Sequence, residues 1–236
     1  MSLFNKYVSV FEDAHDPVTL QYGIDIMNIY GNYIIESIDY SVYETADNEV
    51  KSKNKKFSEF ITDIYKRIES LITDLCTMIK DVFSPTKHIT IDDYKNSELG
   101  YIQTKIDYAK IQDKVNDEIR QGRKIIQSLS KGTGIDDKTI EKYVDVSASI
   151  IDEYTVPTVI TLSSLKRMKN TDKKLESLKG QMASAANDAA SIIDPEKQTL
   201  ARRVYLKMSH HLGELSRATN MFSNEVHSYN ERVKKQ

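Results

Sequence analysis

The segment FSEFITDIYKRIESLITDLCTMIKDVF, residues 57–83, places Ile61, Ile64, Ile68, Leu71, Leu75, Met78 and Val82 at alternating steps of three and four. Side chains return to one side of an α-helix at that period, so the stretch predicts an amphipathic helix. Tyr65, Ile72 and Ile79 fill one further heptad position and widen the apolar stripe to about three residues in seven. A two-stranded coiled coil needs only about two in seven, so the extra width predicts burial against two neighbours in a bundle.

The same reading, carried along the chain, predicts helices almost throughout. A short helix near 2–13 precedes Asp16-Pro17, which opens a helix over about 17–44 on the stripe Leu20, Ile24, Met27, Gly31, Ile34, Ile38 and Val42. Aspartate accepts bonds from the free N–H groups of a first turn, and proline fits the first helical position because its missing N–H would have no partner there. Residues 45–56, TADNEVKSKNKK, carry no apolar period and predict a charged linker before the helix at 57–83. SPTKHITIDDYKN, 84–96, reads as a loop with Asp92 or Asp93 as the next cap, and HITI at 88–91 is the longest strand candidate. A third long helix is expected over about 97–130 through Leu99, Ile102, Ile106, Ile111, Val115, Ile119, Ile126 and Leu129, ended by the glycines of SKGTG, Gly132 and Gly134.

A fourth helix, starting after Asp136 or Asp137 and reaching about 169, should be kinked near Glu153 by Pro157, which removes a backbone donor. The fifth, 172–193, carries Leu175, Leu178, Met182, Ala185, Ala189 and Ile192, and its small-residue centre MASAANDAA admits close approach by another helix. The sixth opens at Asp194-Pro195 and runs to about 233 on Val204, Met208, His211, Leu215, Ala218, Phe222, Val226, Tyr229 and Val233. At 1.5 Å per residue it would be roughly 60 Å long, which predicts a rod-like body or a projecting arm. The fold class is all-α: an elongated bundle of about six helices with a long C-terminal helix. The expected organisation is an acidic helical segment at 1–44, the linker at 45–56 and the bundle at 57–236.

Composition supports this picture. The 236 residues include only 8 Gly and 4 Pro, so little interrupts a helix, and 39% apolar against 29% charged residues is ordinary globular usage. The single cysteine, Cys76, has no intramolecular disulfide partner, and its apolar neighbours predict a buried thiol. MSLFNKYVSVFEDAHDP lacks the continuous apolar core of a signal peptide. No window reaches the roughly 20 apolar residues of a membrane span, and the nearest run, YTVPTVITL at 154–162, is short and contains Pro157.

The net charge of −2 hides an asymmetry. Residues 1–49 set Lys6 alone against nine acids, a balance of −8, whereas residues 161–236 set fourteen Lys and Arg against eight acids, a balance of +6. An acidic head and a basic tail attract each other, within one bundle or between copies, although two solvated faces of one fold are the plainer reading.

Candidate chemistry is sparse. His210, His211 and Glu214 in HHLGE fall within one turn, at spacings that bring metal ligands to one helix face. The Glu-x-x-His pairs of a di-iron bundle are met only by Glu12-Asp13-Ala14-His15, so ordinary helix-surface or core-edge histidines are the preferred reading over a metal site. KGTG at 131–134 lacks the P-loop frame and reads as a helix terminator, and neither GxSxG nor HExxH occurs. Lys51, Lys53, Lys55 and Lys56 ahead of the helix at 57–83 have the charge to meet phosphate or a membrane surface, but a solvated linker is the preferred reading. Arg202, Arg203, Lys207 and Arg217 on the basic C-terminal helices form a second possible nucleic-acid contact.

The N-terminal layout has a family character. A short helix, the acidic tyrosine-rich YGIDIMNIYGNYIIESIDYSVYE, a charged linker and KKFSEFITDIYKRIESLITDLCTMIKDVF resemble virion structural proteins of large tailed bacteriophages over roughly residues 1–90. The resemblance implies a non-enzymatic part of the particle, capsid-associated or internal to the head, present in many copies, without cofactor or catalytic residues. The expected partners are other copies of the chain and virion shell proteins. The expected location is the virion, assembled in the host cytoplasm. The excess length of the last helix nominates Val226, Tyr229 and Val233 as partner-facing, and Arg202, Arg203 and Lys207 are nominated as a separate interaction group on the same helix. Two rival readings are a cytosolic helical adaptor that binds a host protein, and a helical-bundle metalloprotein using His210, His211 and Glu214.

Overall fold

The computed structural model describes residues 46–82, 102–145, 149–155, 158–160 and 162–234. The expectations for 1–44, the loop at 84–96, the HITI strand and the Glu12–His15 pair lie outside them. Among the described residues the order is α1 (Ala46–Val82), β1 (Ile102–Thr104), α2 (Tyr108–Lys131), α3 (Asp137–Asp145), α4 (Ile150–Glu153), β2 (Thr158–Ile160), α5 (Leu162–Lys169), α6 (Thr171–Ala190) and α7 (Pro195–Lys234). The fold is all-α, with one three-residue antiparallel ribbon that pairs Ile102 with Ile160, Gln103 with Val159 and Thr104 with Thr158.

Helix α1 carries the predicted stripe: Ile61, Ile64, Ile68, Leu71, Ile72, Leu75 and Ile79 are all buried, together with Phe57 and Phe60. The charged stretch before it is helical rather than a linker, since α1 begins at Ala46. Ala, Glu and Lys are strong helix formers, no Gly or Pro interrupts them, and Lys55 reaches Glu59 one turn on, at 3.9 Å. Missing apolar period therefore did not mark a break in the helix.

Helix α2 starts eleven residues later than the pattern suggested, at Tyr108. Asp107 takes the cap position, its carboxylate accepting from the Lys110 N–H at 3.2 Å. The expected stripe residue Ile102 instead stands in β1. Gly132 ends α2 as predicted, with φ of 66°, and its N–H bonds the Leu129 carbonyl.

The fourth predicted helix is divided rather than kinked: α3, α4, β2 and α5 occupy its span. Thr155 to Thr161 carries the β-branched run around Pro157, and such residues favour extended backbone where a proline has already removed a helical donor. The Tyr154 carbonyl, at the end of α4, accepts from the Asp107 N–H at 3.0 Å, tying this interruption to the start of α2.

Four long helices make the core, with α7 against α2, α1 and α6, α1 against α6, and α2 against α6. Helices α3 and α4 and strand β1 close further sides of α7. Every residue from Val204 to Ser216 is consequently buried. A helix enclosed on all faces is the bundle's axis, so this part of α7 is not a projecting arm. Val226, nominated as partner-facing, is also buried, at 1% exposure. Tyr229 and Val233 lie in α7, but their side chains fall outside the described set.

Polar pairs fix the register of this packing. Buried Gln112 of α2 donates to the Thr171 hydroxyl at 2.7 Å and accepts from the Lys174 ammonium at 2.9 Å, both on α6. Asp194 caps α7 as expected, its Oδ1 accepting from the Glu196 N–H at 2.9 Å.

Candidate functional site

Between Val204 and Ser216, α7 carries few charges but several polar groups: Lys207, Ser209, His210, His211, Glu214 and Ser216, all buried. Burial of such groups is costly unless they find partners, so their arrangement is the part of the molecule with chemical content. His210, His211 and Glu214 are 8%, 2% and 1% exposed, and one ligand atom of each falls within 4.8 Å of the others.

Glu214 is the hub. Its Oε1 accepts the Ile150 N–H at 2.6 Å, satisfying a first-turn donor of α4. Its Oε2 faces both imidazoles, with His211 Nδ1 at 3.0 Å and His210 Nε2 at 3.7 Å. Nδ1 of His211 therefore carries the proton in this arrangement, an assignment made from the hydrogen bond. The opposite nitrogen, His211 Nε2, is buried and has no hydrogen-bond partner among the described residues. The two imidazoles meet edge to face at a centroid separation of 5.6 Å.

Electrostatics separate the roles. Burial pushes His210 down to about 3; Glu214 pulls it back upward, while His211 and Lys207 push it further down. His210 is thus neutral near pH 7, and its contact with Glu214 is that of a neutral ring with an anion, not a salt bridge. Burial alone would raise the Glu214 carboxyl, but the His211 hydrogen bond, the neighbouring His210 and His211 and the Ser149 hydroxyl outweigh it and hold the group below its ordinary value. The cluster is one buried carboxylate shared by two imidazoles, closed off by α4.

Neighbouring residues explain why α4 and α3 can close here. Tyr143 of α3 donates its hydroxyl to the Glu118 carbonyl of α2 at 2.9 Å and lies edge-on to His211, with centroids 6.4 Å apart. Gly122 of α2 lies beneath: a Cβ there would stand 2.5 Å from Met208 Cγ and 2.6 Å from the Tyr143 hydroxyl oxygen. Gly122 falls in register between Ile119 and Ile126, but periodicity marks only the face it lies on and not the close approach of α3 and α7 there.

The other nominated residues are dispersed. Arg203 pairs with Asp145 of α3 at 3.6 Å, and Lys207 is buried within the bundle. Arg202 and Arg217 are half-buried. The Cys76 thiol is free and half-buried rather than fully enclosed; burial pushes it above the usual thiol range, and Glu176 adds to the shift. No described helix is long and apolar enough to cross a membrane.

Comparison with known proteins adds no family to this description: no family model, no curated protein and no solved structure matches the chain.

Proposed function

We propose that the chain is a non-enzymatic structural protein that acts by helix-to-helix packing with copies of itself or with shell proteins, in the setting of a tailed-bacteriophage virion. The observation that carries this reading is the reach of α7. The helix continues through Lys234, beyond the buried Val226, while the sequence period continues at Tyr229 and Val233. A helix end that keeps its apolar repeat is suited to receive another helix.

Charge supports the same reading. The balance of −8 over residues 1–49 and +6 over 161–236 favours head-to-tail contact between copies and disfavours like-end pairing. The virion setting rests on the phage resemblance of roughly residues 1–90. Light scattering of the full chain tests the assembly: we expect a mass above that of one chain, reduced by Tyr229→Asp or Val233→Asp. A monomer at all concentrations, unaltered by either substitution and without affinity for shell proteins, would sink it. Mass spectrometry of purified virions tests the setting, and absence of the chain from them removes the phage reading while leaving self-assembly to the first measurement.

A further inference from the structure

The inner cluster of α7 has the donor set and spacing of a metal centre, and we propose that His210, His211 and Glu214 hold one divalent transition-metal ion of the zinc class inside the bundle. The site is independent of how the protein assembles. Three observations lead to it.

The first is distance. Donor atoms around a tetrahedral zinc ion with bonds of about 2.0–2.1 Å stand about 3.3–3.4 Å apart. The Glu214 Oε2 to His211 Nδ1 and Glu214 Oε2 to His210 Nε2 separations are 3.0 and 3.7 Å, on either side of that value. Two imidazoles on one such ion have ring centres about 5 Å apart, and these lie at 5.6 Å. The two imidazole donors lie within 4.8 Å of each other, so binding draws the rings together and moves the His211 proton from Nδ1 to Nε2, which frees Nδ1 for the ion.

The second is orientation. Ligating carboxylates are held in place by an outer hydrogen bond, and Glu214 has one already: its Oε1 is fixed by the Ile150 N–H at 2.6 Å, leaving Oε2 as a single donor aimed at the imidazoles. Rigid positioning from α4 and α7 together is what distinguishes this cluster from surface carboxylates.

The third is charge and chemical type. Glu214 is 1% exposed, and a dication in contact with a buried carboxylate offsets the cost of its desolvation. Imidazole nitrogen with a carboxylate suits Zn²⁺, Co²⁺, Ni²⁺ or Fe²⁺, whereas Ca²⁺ and Mg²⁺ take oxygen donors. Three protein donors leave a fourth position for water or a small anion. Enclosure by α4 makes the ion a structural one, so its binding is linked to folding.

The test uses the full chain, unfolded in denaturant with chelator and refolded with or without zinc or cobalt chloride. After desalting, mass spectrometry should find one ion per chain, and cobalt should give the visible absorption of a tetrahedral nitrogen–oxygen site. With zinc at about 100 times its dissociation constant, the melting temperature should rise by roughly 5–10 °C. His210→Gln and His211→Gln should each weaken binding at least about 100-fold, whereas His227→Gln, an exposed position on the same helix, should bind as the parent does. Wild-type protein that refolds natively without stoichiometric metal, thermal shift or cobalt spectrum overturns the proposal. So does binding that both histidine substitutions leave unchanged. Should the substituted chains fail to fold, the wild-type cobalt spectrum decides alone, because a spectrum without nitrogen ligation places the ion elsewhere.

Discussion

Gly122 shows how much of this fold depends on one absent methyl group. Its missing Cβ leaves room for Met208 of α7 and the Tyr143 hydroxyl of α3 in the same spot. Gly122→Ala would gain helix propensity, worth up to about 1 kcal/mol, but would force two packed side chains apart, which costs about 1–3 kcal/mol. The expected outcome is net destabilisation, read by urea unfolding, together with a change in the environment of His211 visible by NMR. A neutral or stabilising result would show that α2 and α7 are less closely apposed than described. Lys207 and Val226 teach the related lesson: each is placed by its neighbours, since a lysine at a helical position normally faces water and a valine near a helix end is free to face a partner.

Helix ends and braces behave more locally. Gly132 stands at φ of 66°, the left-handed region that a Cβ disfavours. Gly132→Ala should therefore cost about 1 kcal/mol, measured as a lower denaturation midpoint with an unchanged slope. Asp113 of α2 is a brace: it pairs with Arg167 of α5 and, at 3.3 Å, with Lys174 of α6. Burial raises its carboxyl, but the bonds from Arg167 and Lys174 outweigh that and leave it below the ordinary value of 3.8. The brace's contribution is therefore fully present above the unfolded value and is lost as pH falls through the depressed folded one. Asp113 is half-exposed, so solvent screening limits the effect to under about 1 kcal/mol. In unfolding curves at pH 3 and pH 6, Asp113→Asn should reduce the acid-side loss of stability by that amount. An undiminished loss would assign the acid sensitivity to other carboxylates.

For the whole molecule, α7 as axis makes a clear forecast. Opening any one flank leaves the others covering Val204–Ser216, so amides there should exchange only through global unfolding. Hydrogen exchange faster in this stretch than in α3 would contradict the central placement. Leu212→Ala, at a fully buried site, should cost about 2–5 kcal/mol, clearly more than Leu200→Ala on the same helix, where the side chain is only partly buried. Equal losses would indicate an α7 that lies on the surface.

The repeat of apolar residues by itself determined the all-α class, the buried face of α1 and the stripe of α6, because each follows from side chains three or four positions apart on one chain segment, while the Asp194-Pro195 pair marked the entry of α7 through its capping chemistry. The charged stretch at 46–56 and the division of the predicted helix at 137–169 were misread because pattern registers which face is buried, not whether the backbone continues. Low charge between Val204 and Ser216 was the available sign of an enclosed helix, with Lys207 and Glu214 the sole Lys, Arg, Asp or Glu there. HHLGE was legible as three potential ligands. Their convergence depended on the tertiary structure: the Ile150 N–H that aims Glu214 lies 64 residues away, and the burial of the three groups comes from the elements packed around α7.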